Sequence, residues 1–116
     1  MNSGYFAWQL TALEGHVDTS ATSMISYAIK RGVMIGILDR SYLYYSNLGL
    51  YALSRSVENG IVLDSSADCT QFGMYPQNFG SNQWAQGPTT ALAALSLSEE
   101  SKILESNVNR RSRRVR

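Results

Sequence analysis

Few residues in this 116-residue chain are of a type that does chemistry. His16 is the single histidine and Cys69 the single cysteine. One cysteine excludes an internal disulfide and a cysteine-based zinc cluster, and one histidine leaves few ways to build a self-contained catalytic triad. His16 can change charge near neutral pH and serve a pocket, or it can be a plain loop residue ahead of a helix. The densest local pattern follows it in Asp18-Thr19-Ser20-Ala21-Thr22-Ser23, an acid with four hydroxyls. At a helix start, unpaired amides and the positive end of the dipole attract anions, and adjacent hydroxyls add donors. The same residues can equally do no more than cap the helix. Cys69 reads as an inert loop thiol. No metal and no cofactor is expected, and no catalytic residue is assigned.

The elements that would position these groups are helical. From Asp18 a cap signal precedes Met24, Ile25, Ala28, Ile29 and Val33, whose steps of three and four predict a helix over about 18–37 with that stripe buried. Asp39 and Ser41 offer a second cap. Tyr44, Leu48, Tyr51 and Ala52, widened by Leu43, Leu50 and Val57, mark one face of a second helix to about residue 57. So short a connection makes the two antiparallel neighbours. Asn59-Gly60 is expected to close the second helix, and Ile61-Val62-Leu63 to be a short strand or a loop edge. Residues 64–87 read as a long connection carrying Phe72, Met74, Tyr75, Phe79 and Trp84. Loops of that length and composition are commonly functional or packed over a site. Gly87-Pro88 then predicts the start of a third helix, with Ala91, Leu92, Ala94 and Leu95 inward and fraying near 101–105.

Composition bounds the rest. With 44% hydrophobic and 16% charged residues, the chain is at most one small globular domain. No stretch is long and apolar enough for a membrane span, and residues 1–10 lack the pattern of a signal peptide. The net charge of +1 conceals a division: residues 1–109 hold all nine acids against five basic groups, and residues 110–116 hold five arginines. Such a tail can meet phosphates, but no aromatic residue is interleaved in it. Residues 106–116 are therefore expected to be a disordered basic extension, with no nucleic-acid or membrane partner. Three helices with wide apolar faces also leave more greasy surface than one small bundle can bury, so further helices or self-association are expected.

Three segments together resemble the C-terminal part of glycoside hydrolase family 105, the unsaturated rhamnogalacturonyl hydrolases, related to the unsaturated glucuronyl hydrolases of family 88. They are His16 to Ile25, then Tyr27-Ala28-Ile29-Lys30-Arg31-Gly32-Val33 with Gly36-Ile37-Leu38-Asp39, and Trp84-Ala85-Gln86-Gly87-Pro88. The resemblance covers about residues 5–98 and roughly the last third of the family's length. It implies an all-α fold, part of an (α/α)6 barrel of six helical hairpins with the substrate pocket at one mouth, for residues 1–105. It further implies action on unsaturated uronyl oligosaccharides from rhamnogalacturonan or pectin. In such enzymes an aspartate protonates the vinyl ether and activates water. The family places that aspartate in its N-terminal half, and none of Asp18, Asp39, Asp64 or Asp68 matches its motif. The chain is thus expected to be inactive alone. The resemblance carries over substrate contacts only: Ser20 and Ser23, in the segment that Asp18 opens, toward the substrate carboxylate, with Asp18 counted among the substrate-binding residues, His16 as a pocket group, and Trp84 and Gln86 as sugar-site residues, since aromatic faces stack on sugars and amides bond hydroxyls. Packing of the loop explains Trp84 and Gln86 equally well, and Tyr42, Tyr44, Tyr45 and Tyr51 read as packing or interface residues. The alternative function is a non-catalytic interaction or carbohydrate-binding module that associates through exposed helix faces.

Overall fold

The computed structural model describes residues 3–7, 16–67 and 78–115, with the backbone alone for residue 115. Among them the order is α1 (Thr19–Met34), a 3-10 turn (Arg40–Tyr42), α2 (Leu43–Arg55), β1 (Val57–Glu58), β2 (Ile61–Val62), β3 (Ser65–Ser66), β4 (Phe79–Gly80) and α3 (Gln83–Val115). The fold is all-α in character, since the strands form only two-residue antiparallel ladders, β1 with β2 and β3 with β4. Cys69 and residues 68–77 of the aromatic connection, with Phe72, Met74 and Tyr75, lie outside the described residues. No helix among the described residues is long and apolar enough to cross a membrane.

Both expected caps form. Asp18 is extended and accepts from the Ser20 amide, which starts α1; Asp39 accepts from the Ser41 amide at 3.0 Å and starts the turn into α2. Hydrogen bonds from Ser41, first its side chain and then its amide, hold the Asp39 carboxyl below its ordinary range. The helices run antiparallel, because Gly32 meets Leu38, Ser26 meets Ser46 and Gly49, and Thr19 meets Leu63. α3 runs parallel to α1: the two helix starts are joined through Ser66, and further along Lys30 Nζ lies 2.9 Å from Glu99. That pair is largely buried on the lysine side, so its worth is as a registration of α3 on α1 more than as net stability.

Three expectations are corrected. Asn59 and Gly60 do take positive φ, 52° and 78°, but they make the two-residue turn of the β1–β2 hairpin, for which the left-handed pair suits the strand twist; α2 has already ended at Arg55. The third helix starts at Gln83, not at Gly87-Pro88. The Asn82 carbonyl accepts the amides of Ala85 and Gln86, and Pro88 is accommodated inside the second turn. Nor does α3 fray at 101–105: it continues to Val115, and every residue from Glu100 to Arg114 is exposed.

The buried faces also differ from the apolar stripes. On α1 the buried residues are Thr19, Ser20, Thr22, Ser23, Ser26 and Lys30, whereas Met24 and Ala28 are exposed and Ile25, Ile29 and Val33 half-buried. The cause is close approach. The Ser26 hydroxyl occupies the place where a Cβ on Gly49 would stand, and the Ser46 hydroxyl donates to the Ser26 carbonyl at 2.8 Å. Small polar residues thus set the α1–α2 spacing, which bulky apolar ones would widen. α2 buries Ser46, Gly49, Ala52 and Leu53, leaving Tyr44 and Tyr51 exposed. α3 buries Ala85, Thr89 and Leu92; Ala91 and Ala94 face out and Leu95 is half-buried. Among the described residues the fully apolar core is therefore small, and Ile35, Ile37, Tyr51, Leu97 and Leu104 lie in the open.

Candidate functional site

The starts of α1 and α3 meet the two β ladders at one end of the molecule, and most of the sequence-selected residues gather there. Asp18, 4% exposed, is the anchor. Its Oδ1 accepts from the Ser20 amide at 3.0 Å, the Ser20 hydroxyl at 2.8 Å and the Ser66 amide at 3.1 Å, and its Oδ2 accepts from the Ser66 hydroxyl at 3.2 Å. One carboxylate thus both caps the helix and ties it to a strand 48 residues away. Ser66 is in turn the hub of the second tie: its carbonyl accepts the Trp84 indole N–H at 3.0 Å and the Asn82 side-chain amide at 3.1 Å.

The other helix-start groups are also spoken for. The Thr19 amide donates to the Asp64 carbonyl at 3.1 Å and its hydroxyl to the Leu63 carbonyl at 2.7 Å. Asp64 holds that position with a left-handed φ of 59°, which a short polar side chain tolerates. Thr22 donates its hydroxyl to the Asp18 carbonyl and accepts the Phe6 amide. Ser23, wholly buried, donates to the Ser20 carbonyl at 3.0 Å. The hydroxyls therefore donate inward, and a hydroxyl doing so keeps oxygen lone pairs for an incoming donor. The negative charge at the dipole's positive end is the chain's own Asp18.

His16 is exposed and lies flat on Phe79, with ring centres 3.8 Å apart and planes inclined by 19°; its Nδ1–H donates to the Val17 carbonyl. Because Phe79 pairs with Ser66 across β3–β4, His16 joins the same cluster. Gln86 belongs to a neighbouring feature. Its Oε1 accepts the Val62 amide at 2.9 Å and its Nε2 donates to the Gly60 carbonyl at 3.0 Å, so its side chain completes the β1–β2 hairpin. Beside it a shallow groove of about 480 Å³ is lined by Ile61, Ser81, Asn82, Gln83, Gln86 and Gly87. An exposed imidazole and, beside it in the fold, an amide-rich groove are each able to receive sugar hydroxyls. No group of three His, Cys, Asp or Glu residues placed to hold a metal occurs among the described residues.

Ser66 and Asn82 escape the sequence reading, in which Phe79 stands only among the aromatic residues of the connection and Asp64 only as an acid outside the family motif. Asn82 alone carried a legible signal, a helix-start residue one position before Gln83. Ser65-Ser66 matches no motif, and its role exists only because the fold brings it to Asp18.

The fold is similar to the crystal structure of a possible member of the GH105 family from Salmonella enterica serovar Paratyphi A. The TM-score is 0.71 at 17% identity, over 82% of this chain and 28% of that one. A possible GH105 member from Klebsiella pneumoniae is similar to the same extent, with a TM-score of 0.71 at 16% identity. The chain spans 28% of the length of both. No family model and no curated protein sequence matches it. The likeness is one of fold.

Proposed function

We propose that the chain is part of an (α/α)6 barrel of the family 105 type, and that the end bearing Asp18, Ser66 and Trp84 forms part of the wall of a pocket for unsaturated uronyl oligosaccharides derived from rhamnogalacturonan or pectin. The observation that carries this reading is the similarity of fold over 82% of the chain to two possible GH105 members. The helix directions support it: a barrel of hairpins needs each inner helix antiparallel to its outer partner and parallel to the next inner one, as α1, α2 and α3 are.

In this reading Asp18, Ser20 and Ser23, all buried, hold the wall in place from behind. His16 offers a proton-bearing ring near the uronate, Trp84 a flat apolar face, and Gln86 shapes the rim through the hairpin it completes. No residue of the cluster is placed as the general acid, so the wall binds without cleaving. Purified chain incubated with an unsaturated uronyl-rhamnose disaccharide is expected to leave the ring double bond, and its ultraviolet absorbance, intact. Steady loss of that absorbance would overturn the absence of a catalytic acid.

A second reading is favoured by one observation, the extent of apolar helix surface left open, with Ile37 74% and Leu97 64% exposed. There the chain is a non-catalytic module that associates through those faces and retains at most sugar binding. Binding of the same disaccharide separates the two, since only the first requires it at the α1–α3 end.

A further inference from the structure

α3 has two unlike faces. Ala85, Thr89, Leu92, Ser96 and Glu99 follow one another at steps of three and four and turn toward α1, the last through Lys30. About a third of a turn round the helix runs a second stripe, Leu97, Ser101, Leu104, Val108 and Arg111, again at alternating steps of four and three. On it Leu97, Leu104 and Val108 are each 64% exposed. Among the described residues nothing packs on this part of the helix, yet helices in water owe most of their stability to tertiary packing of one face. Its internal charges give little help, because Arg110, Arg113 and Arg114 repel at spacings of three and four.

We infer that the exposed half of α3 pairs with the same segment of a second copy of this chain, antiparallel, as a short two-stranded coiled coil. Spacing and charge select the occupant and its direction. An apolar seam at 97, 104 and 108 is the a/d pattern with Leu at d and Val at a. Residues 97–106 hold three glutamates against one lysine, and residues 107–114 hold four arginines and no acid. A parallel pair would set four arginines against four. An antiparallel pair centred on residue 106 sets each acidic half beside a basic half. In that register Leu104 meets Val108 of the second copy, Ser101 meets Arg111, and Glu100 flanks Arg114, each contact occurring twice by symmetry. The polar Ser101–Arg111 contact inside the seam disfavours slipped registers. The paired stretch is about 27 Å long at 1.5 Å per residue, and the two folded bodies lie at its opposite ends. This pairing is independent of the sugar the other end receives.

The test is light scattering on the full chain over a range of concentrations, with circular dichroism to verify that each variant is folded. The unaltered chain is expected to be a dimer and Leu104→Glu a monomer. Glu100→Arg alone and Arg114→Glu alone each weaken dimerisation roughly tenfold, and the double exchange restores it, since the two charges then trade places across the antiparallel seam. A chain monomeric at every concentration, a dimer indifferent to Leu104→Glu, or a double exchange that fails to restore would each overturn the pairing. So would a monomer held by an anionic polymer through its arginines.

Discussion

The two ends of α3 are held in opposite ways. Over residues 83–99 the helix is fixed by specific bonds: Asn82 and Trp84 to the Ser66 carbonyl, Gln86 to the β1–β2 hairpin, and Glu99 to Lys30. Over residues 100–114 it is a bare rod, exposed on every side. The first region is built by polar side chains reaching across tens of residues of sequence, the second by local helical preference alone. Removal of one side chain should therefore be felt sharply in the first and scarcely in the second within a single chain.

The largest effect is expected at Asp18. Asp18→Ala leaves two amides and two hydroxyls without their acceptor and should lower the unfolding free energy by about 3 kcal/mol in a denaturant titration. A loss no greater than that of an exposed cap would mean the tie to Ser66 is idle. Next comes Gly49→Ala, whose added methyl falls on the Ser26 hydroxyl and should cost about 2 kcal/mol. Among the described residues Ser26 Oγ has no hydrogen-bond partner, so Ser26→Ala alone should be near neutral and should relieve part of the Gly49→Ala cost when the two are combined. Gln86→Ala removes one acceptor and one donor from the hairpin and should cost roughly 1 kcal/mol, with faster amide exchange at Val62 and unchanged exchange at Ser46.

The smallest effect is at Asp39. Its carboxyl is depressed in the folded chain, so it binds protons less readily folded than unfolded. Its cap stabilises the fold above the ordinary aspartate range and the contribution is lost as pH falls through the depressed value. Asp39→Asn should flatten that acid limb slightly; an unchanged limb would assign it to other carboxylates.

The sequence made the helix starts at Asp18 and Asp39 legible, and with them the α1–α2 hairpin, because capping is a contact between residues two or three apart. It made the buried faces far less legible. Apolar periodicity presumes that the apolar side turns inward, and on α1 the helices approach so closely that Ser23, Ser26 and Gly49 fit where Met24 and Ile29 would not. Asn59-Gly60 was read correctly in backbone conformation and wrongly in use, since a left-handed pair ends a helix or turns a hairpin with equal ease. Trp84 and Asp18 stood out by type, whereas Ser66, the residue that joins them, has no local signature at all.

The most direct test of the central claim follows the Trp84 indole N–H by nuclear magnetic resonance while the full chain is titrated with an unsaturated uronyl-rhamnose disaccharide. The account predicts a saturable shift of that signal, with accompanying shifts at His16, Ser20 and Ser66 and none along residues 100–114. An unmoved indole, or shifts confined to the bare rod, would contradict the assignment of this end of the molecule as a sugar-binding wall.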